Sequence, residues 1–394
     1  MTVDHEPAGR GGRSWITEPA PVADHPAPTG DAVGDPDRLG PLRSCLTERV
    51  PADPPAPNPV LAMIHSAFLA RTVATLVELG VVEELAGRPR SIAELGRILG
   101  VAAEPLQQLV RGTAAAGLVR SAGGTGLDEV FALTETGETL REGHPSATRD
   151  LVLMLQGADV LDCLRALPER VRRGETGPEV ALGRSWFEHV RTEPELAARF
   201  DRMMVALHGG EHEAVAAAYD MDWAWNVVDV GGGLGGLTLA LLAANDHLTG
   251  TVLDLPDVAA RAQRTIVRAG YTHRCSTVAG DFFDGVPHGA DAYVLASVLH
   301  AWSDADCVRI LRSVADGLTP GARLLVVENV LPAGDAPHPG RALDLLMAAL
   351  THGHERTAEE FRLLLAAAGL RIRSVVPTAS AVSVIEAERD PLLG

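Results

Sequence analysis

Residues 227–245 read VVDVGGGLGGLTLALLAAN. The first four residues suit a buried strand, the glycines suit a loop, and the leucine-rich run suits a helix. Gly231, Gly233 and Gly236 have the spacing GxGxxG, and a side chain at these positions would keep a ligand away from the backbone. The stretch therefore predicts a strand, a ligand-binding glycine loop and a helix, in that order.

Strand and helix patterns alternate along the chain around this stretch. The predicted strands are NVVDV, GTVLDL, CSTVAGD, DAYVLASVL, RLLVVENVL, RIRSVVPT and VSVIEAER, and helical patterns separate most of them. Such alternation is typical of a Rossmann-like α/β fold, a doubly wound and mostly parallel sheet with right-handed crossovers. We assign this domain to residues 221–394.

A different pattern precedes this domain. Residues 60–147 predict helices followed by two short strands around the glycine-rich AGGTG, which is the order of a winged helix. A winged helix commonly binds DNA through its recognition helix, but here that helix carries only Glu104 and Arg111 as charged residues. The sequence therefore favours a scaffold or dimerisation domain over a DNA-binding one. Residues 148–220 predict several further helices.

Composition and charge exclude other classes of protein. Among the 394 residues, 52 are acidic and 34 basic, and the net charge of −18 argues against nucleic acid as the partner. The four cysteines lack metal-finger spacing, no run approaches 18 apolar residues, and the first residues lack a signal-peptide core. These features predict a cytoplasmic protein without a membrane partner. Residues 1–59 hold 12 of the 26 prolines and predict a disordered tail, with a lid or a subunit clasp as the alternative.

Acidic residues near the glycine loop indicate which cofactor it holds. Asp254 ends the next predicted strand and could bind both ribose hydroxyls of a dinucleotide or of S-adenosylmethionine. Asp229 precedes the loop, where it would attract the ammonium of S-adenosylmethionine but repel a pyrophosphate. Asp281 could accept from an adenine amino group, with Phe282 against the ring. These positions favour S-adenosylmethionine; the alternative is that Asp229 and Asp281 only cap local turns.

Residues from about 60 to 390 also carry a family resemblance. The motifs, in order, are AAAYD, VVDVGGGLGG, TVLDLPDV, AGDFFDGVP, VLHAWSDADCVRIL, LTPGARLLVVENVLP and LDLLMAALTHGHERTAEEF. They resemble class I S-adenosylmethionine-dependent O-methyltransferases of the caffeate and acetylserotonin type, above all the bacterial branch that methylates polyketide phenols such as anthracyclines. The resemblance implies a homodimer joined through the winged-helix domain. It further implies methylation of a phenolic hydroxyl on an aromatic, polycyclic substrate, with S-adenosylhomocysteine as the second product.

The resemblance also implies residue roles. His300 matches the catalytic base, and Glu328 and Glu355 match the two acidic residues beside it. Leu255 and Ser297 join the cofactor set of Asp229, the glycine loop, Asp254, Asp281 and Phe282. The residues matching the substrate clamp, or lying close to it, are Met154, Trp186, Met204, His208, Met347 and His352. The sequence shows no convincing metal ligand set, although His300, His352 and His354 are a weak candidate.

Three other functions stay open at this point. A relative could bind S-adenosylmethionine without transferring its methyl group and act as a hydroxylase, decarboxylase or cyclase. The winged helix could belong to a ligand-sensing regulator, and the glycine loop to a nicotinamide reductase. Product mass separates the first alternative from methyl transfer, because methylation adds one methylene whereas hydroxylation adds one oxygen.

Overall fold

The computed structural model describes residues 58–391. The predicted tail therefore lies outside the described residues, except for its last two positions. From Ala62 onwards the chain groups into one compact unit, and the boundaries at 147 and 220 stay predictions.

The N-terminal part combines short helices with a small antiparallel sheet. The helices are α1 (Pro59–Glu78), α2 (Val81–Gly87), α3 (Ile92–Leu99), α4 (Ala103–Ala115) and α5 (Glu135–Glu138). The strands are β1 (Arg90–Ser91), β2 (Val119–Gly123) and β3 (Val130–Leu133), in the order β1-β3-β2. Ser91 caps α3 by accepting the amide of Glu94, and Gly100 ends that helix with a φ of 68°. Strand β1 is only two residues long, which is too short to show an alternation of apolar and polar residues. The sequence therefore did not predict it.

Within residues 58–391, one side of helix α1 is left uncovered. It is long and apolar enough to qualify as a membrane-span candidate by length and composition, although only 17% of its apolar window is buried. The sequence criterion of consecutive apolar residues did not detect it, because His65, Ser66 and Arg71 interrupt the run. Met63 and Phe68 are 70% and 64% exposed, whereas Leu76 and Val77 at the other end are buried.

A cluster of helices follows. It consists of α6 (Thr148–Leu155), α7 (Ala158–Arg165), α8 (Leu167–Arg173), α9 (Gly177–Leu182), α10 (Trp186–Val190) and α11 (Pro194–Ala218). Met154, Cys163 and Trp186 are buried between them, together with Leu350 from a later helix. This cluster forms the apolar half of the cavity described below.

The main sheet confirms the predicted mostly parallel α/β architecture. Its strands are β4 (Asn226–Val230), β5 (Thr249–Asp254), β6 (Cys275–Ala279), β7 (Ala292–Ala296), β8 (Arg323–Leu331), β10 (Leu370–Pro377) and β11 (Val382–Arg389). They lie in the order β10-β11-β8-β7-β4-β5-β6, and the short β9 (Arg356–Thr357) pairs with β8. Strands β4 to β8 are parallel, whereas β10 and β11 are antiparallel.

Helices cover both faces of this sheet. They are α12 (Gly236–Ala244), α13 (Pro256–Ala269), α14 (Asp304–Gly317), α15 (Gly340–Leu350) and α16 (Ala358–Ala367). Two apolar layers result, one beneath α14 and α16 and the other beneath α12 and α13. The strand order reverses at β4, between β5 and β7, and open α/β sheets bind their ligands outside the carboxyl ends of the strands at such a point.

Candidate active site

A cavity of about 860 Å³ opens at this carboxyl edge of the sheet. The predicted cofactor residues all line it, and they are Asp229, Gly231, Gly233, Gly236, Asp254, Leu255, Asp281, Phe282 and Ser297. The predicted substrate residues line it as well, and they are Met154, Trp186, Met204, His208, Met347 and His352. His300 joins them, whereas Glu328 and Glu355 are buried outside the cavity wall.

The glycine loop forms a tight turn at the floor of this cavity. Gly231 and Gly233 have φ values of 72° and 56°, a backbone conformation that favours glycine. The Gly231 amide donates to the carbonyl of Leu253 at 2.8 Å, which ties the loop to the end of β5. At Gly232 a Cβ atom would lie 2.6 Å from Cγ of Asp229, so this position also excludes a side chain.

Asp229 is buried beneath the loop with one oxygen unused. Its Oδ2 accepts from the Thr238 hydroxyl at 2.6 Å, whereas Oδ1 has no hydrogen-bond partner in the described part of the chain. Burial raises the pKa of Asp229 to about 6, against the opposing effect of the Thr238 hydrogen bond. A buried carboxylate oxygen without a partner is unfavourable, and an ammonium group of a ligand would satisfy it.

Asp254 and Asp281 stand at the ends of the next two strands. Asp254 accepts from the amides of Gly233 at 2.9 Å and Leu255 at 2.7 Å, and burial raises its pKa to about 6. One oxygen of Asp281 accepts from the amide of Phe283 at 2.9 Å. Both carboxylates therefore brace local turns, and each retains lone pairs that a ligand in the cavity could use.

His300 lies in a short 3₁₀ turn, Leu299–Ala301, that follows β7. The strand predicted to reach Leu299 ends at Ala296, because Ser297 takes a φ of 51° and the chain leaves the sheet there. Nδ1 of His300 lies 2.8 Å from Oε1 of Glu355 and 3.7 Å from Oε2 of Glu328. The structure thus brings together the three residues that the sequence assigned to catalysis.

The two glutamates act on His300 in different ways. Glu355 holds the imidazole ring, and Oε1 of Glu328 accepts the amides of Val298 and Leu299 at 2.9 and 2.8 Å, which fixes the turn. Burial would lower the pKa of His300, but the charges of Glu328 and Glu355 outweigh it and raise that pKa to about 8. With Nδ1 engaged, Nε2 is the nitrogen available to take a proton in the cavity.

The ligand atoms of these three residues also lie within 4.8 Å of one another, the spacing of a metal site. An imidazole hydrogen-bonded to carboxylates has the same spacing without an ion. The absence of a metal stays a prediction, and His352 and His354 are not part of this group.

Comparisons with known proteins agree with this geometry. The O-methyltransferase domain family matches residues 164–371. This chain belongs to that family. The phenazine O-methyltransferase of Lysobacter antibioticus is 33% identical to it over 84% of this chain and 96% of the relative. The predicted family, enzyme class and S-adenosylmethionine as the cofactor are thereby confirmed.

Two further relatives of this methyltransferase bear on its chemistry. A solved O-methyltransferase (NcsB1) from neocarzinostatin biosynthesis, in complex with S-adenosylmethionine and 2-hydroxy-5-methyl naphthoic acid, has a TM-score of 0.71 and 36% identity. That match covers 82% of this chain and 96% of the other. The aclacinomycin 10-hydroxylase of Streptomyces purpurascens is 34% identical over 80% of this chain and 83% of its own length.

Sequence reasoning missed an aromatic wall of the methyltransferase site. Trp302 stacks on Phe187 with ring centroids 5.9 Å apart, and the edges and faces of Phe282 and Phe283 pack against the same indole. Phe187 belongs to the helical cluster, so this contact joins that cluster to the sheet. Phe187 and Trp302 lie 115 positions apart in the sequence, and no local pattern pairs them.

Both histidines assigned to substrate binding have acidic partners. Nδ1 of His208 lies 2.7 Å from Oε2 of Glu211 and 3.5 Å from the hydroxyl of Ser297. Nε2 of His352 lies 3.1 Å from Oε1 of Glu179, and this histidine side chain is half exposed at the mouth of the cavity. His208 thus lies next to a predicted cofactor residue, whereas His352 is at the rim.

Proposed function

We propose that this protein transfers the methyl group of S-adenosylmethionine to a phenolic hydroxyl of an aromatic natural product. The observation that carries the proposal is His300, held by Glu355 in the wall of the same cavity as the glycine loop. The free oxygen of Asp229 and the left-handed glycines fit the cofactor, because they offer a buried anion and a close backbone approach.

In this mechanism His300 is the general base. When bound, S-adenosylmethionine would supply an electrophilic methyl carbon on its sulfonium; in-line bonding of the phenol oxygen to that carbon would break the carbon–sulfur bond and leave S-adenosylhomocysteine. Nε2 of His300 takes the proton of that phenol, and Glu355 stabilises the imidazolium that results. The carboxylate of Glu328 accepts from backbone amides of the turn that carries His300. It thereby keeps Nε2 of His300 close to the phenol hydroxyl.

The cavity suits a flat aromatic substrate. Met154, Met204 and Met347 line its helical half together with Trp186, and thioethers adapt to aromatic faces. The NcsB1 relative binds a naphthoic acid, and another relative is named as a phenazine O-methyltransferase. Naphthoic acids and phenazines are planar, fused ring systems. We assign the substrate to polycyclic aromatic compounds of the polyketide type.

A non-methylating reaction is the second candidate, because one relative is a hydroxylase. The hydrogen-bonded pair of His300 and Glu355 favours methyl transfer, since a base is useful for ionising a phenol.

We expect the purified protein to bind S-adenosylmethionine but not NADH, and to methylate members of a panel of hydroxylated naphthalenes, anthraquinones and anthracyclines. Calorimetry measures the binding, and mass spectrometry with the methyl-deuterated cofactor measures the transfer. A product in which a CD₃ group has replaced the phenol hydrogen supports the proposal. A product heavier by one oxygen identifies a hydroxylase instead, and no binding of S-adenosylmethionine refutes both.

A homodimer is a further part of the proposal. Helices α3 and α4 with the small sheet have the order of a winged helix, and the neighbouring α1 exposes Met63, Ile64 and Phe68. An apolar helix face of this kind is suited to a second copy of the chain.

The free, buried cysteines Cys163, Cys275 and Cys307 suit a reducing cytoplasm.

We expect sedimentation analysis to give twice the chain mass of 41.4 kDa. The double variant Met63→Glu, Phe68→Glu is expected to sediment as a monomer, because charged side chains would not be buried in an apolar interface. The double variant Arg120→Glu, Glu104→Arg, on exposed positions of the same region, serves as the control. A wild-type monomer, or a dimer unaffected by the α1 changes, would contradict this assignment.

A further inference from the structure

One face of α11 runs along the cavity. Met204, His208 and His212 recur at intervals of four residues, and all three line the cavity wall. Met204 contacts the apolar helical cluster, and His208 lies beside Ser297. The face therefore passes from the half assigned to the substrate to the half assigned to the cofactor, and His212 is at the cofactor end.

His212 packs directly on the glycine loop. A Cβ atom at Gly236 would lie 2.6 Å from Cε1 and 2.7 Å from Nδ1 of the His212 ring. Gly236 is thus required for a second reason besides cofactor approach, because any side chain there would displace this imidazole. Within residues 58–391, neither ring nitrogen of His212 has a hydrogen-bond partner, whereas Nδ1 of the neighbouring His208 is engaged by Glu211.

His212 and Asp229 both contact the first turn of α12. Asp229 is bound to Thr238 in that turn and keeps Oδ1 free, while His212 covers Gly236 two residues earlier. An amino acid zwitterion needs an anion for its ammonium and a hydrogen-bond donor for its carboxylate. Burial, followed by the charge of His208, lowers the pKa of His212, so the ring is neutral at pH 7 and has one N–H to donate.

We infer that His212 donates a hydrogen bond to the carboxylate in the amino-acid part of the cofactor, opposite the ammonium held by Asp229. The inference rests on the proposed function, since it names a residue for one group of that cofactor. His212 is a binding residue here and takes no part in moving the phenol proton.

The test compares three ligands that differ in the amino-acid part. S-adenosylhomocysteine carries both charged groups, its decarboxylated analogue keeps the ammonium alone, and 5′-methylthioadenosine lacks both. His212→Ala is expected to weaken S-adenosylhomocysteine about tenfold and the other two by less than twofold, as expected for one hydrogen bond to a charged group. His212→Gln keeps a donor and is expected to recover part of the loss. Calorimetry gives the dissociation constants, and thermal unfolding shows whether each variant is folded.

His273→Ala is the matched control, because this histidine is exposed and outside the cavity wall. Equal losses for all three ligands, or no loss for any, would overturn the assignment of His212 while leaving the proposed function in place. Failure of the wild-type protein to bind S-adenosylhomocysteine would overturn the proposed function itself, and the assignment of His212 with it.

Discussion

Replacing His300 by alanine is expected to lower kcat by about 10²-fold or more while the affinity for S-adenosylhomocysteine changes less than threefold. Proton transfer to a positioned base contributes roughly 10²–10⁴-fold to a rate. The loss falls on kcat because the phenol must still ionise after the substrate is bound. The cofactor residues Asp229 and Asp254 lie on other strands and keep their hydrogen bonds in this variant.

The pH dependence identifies the base more directly than the rate. A base must be unprotonated to act, so kcat/KM of the wild-type protein is expected to rise with pH and to level off above about 8, the pKa that Glu328 and Glu355 impose on His300 against its burial. In His300→Ala this limb is expected to vanish, and the rate should instead follow the ionisation of the phenol itself.

Initial rates between pH 6 and 10, with two substrates whose phenol pKa values differ by about two units, separate these limbs. His273→Ala again serves as the exposed control. An unchanged kcat in His300→Ala, with a substrate whose phenol is protonated at the assay pH, would exclude the general-base role and leave proximity as the source of the rate.

Much of the architecture could be predicted because its signals are local. The residues of β4, the glycine loop and α12 are contiguous, and strand and helix periodicity marks each element without knowledge of its neighbours. The end of β7 was placed three residues too late, because Ser297 interrupts an apolar run only by its backbone conformation. Two-residue strands such as β1 and β9 are too short to have a period.

The candidate site was predictable where a resemblance supplied the positions and less so where tertiary contacts create the role. Residues such as His300 and Glu355 are 55 positions apart, and only the motifs around them suggested that they meet. Phe187 was overlooked because on α10 it looks like an ordinary helix residue, and its stack on Trp302 depends on two distant segments. His212 was overlooked for a similar reason, since its contact lies across the glycine loop.

Arg356 is the clearest example of a residue whose role depends on tertiary contacts. It is 1% exposed and follows Glu355 directly, so one short segment supplies both the partner of the His300 ring and a cation beneath its turn. Its guanidinium donates to the carbonyls of Leu299 at 2.9 Å and Trp302 at 3.1 Å, which bracket His300, and to Oδ1 of Asp304 at 2.7 Å. We propose that Arg356 is a positioning residue for the base.

Replacing Arg356 by methionine is therefore expected to lower the free energy of unfolding by about 2–3 kcal/mol, because buried carbonyls lose their donors. In molecules that remain folded, kcat is expected to fall at least tenfold, since a small displacement of the base disrupts proton transfer. The charge of Arg356 lowers the pKa of His300, so its removal is expected to move the rising limb of the pH profile above 8. Arg356→Lys keeps the charge but not the forked donors, and should restore the limb to about 8 while recovering only part of kcat. Denaturant unfolding and the pH dependence of kcat/KM measure the two effects separately. A loss of stability with an unchanged kcat in the folded molecules would show that Arg356 supports the fold alone and does not position His300.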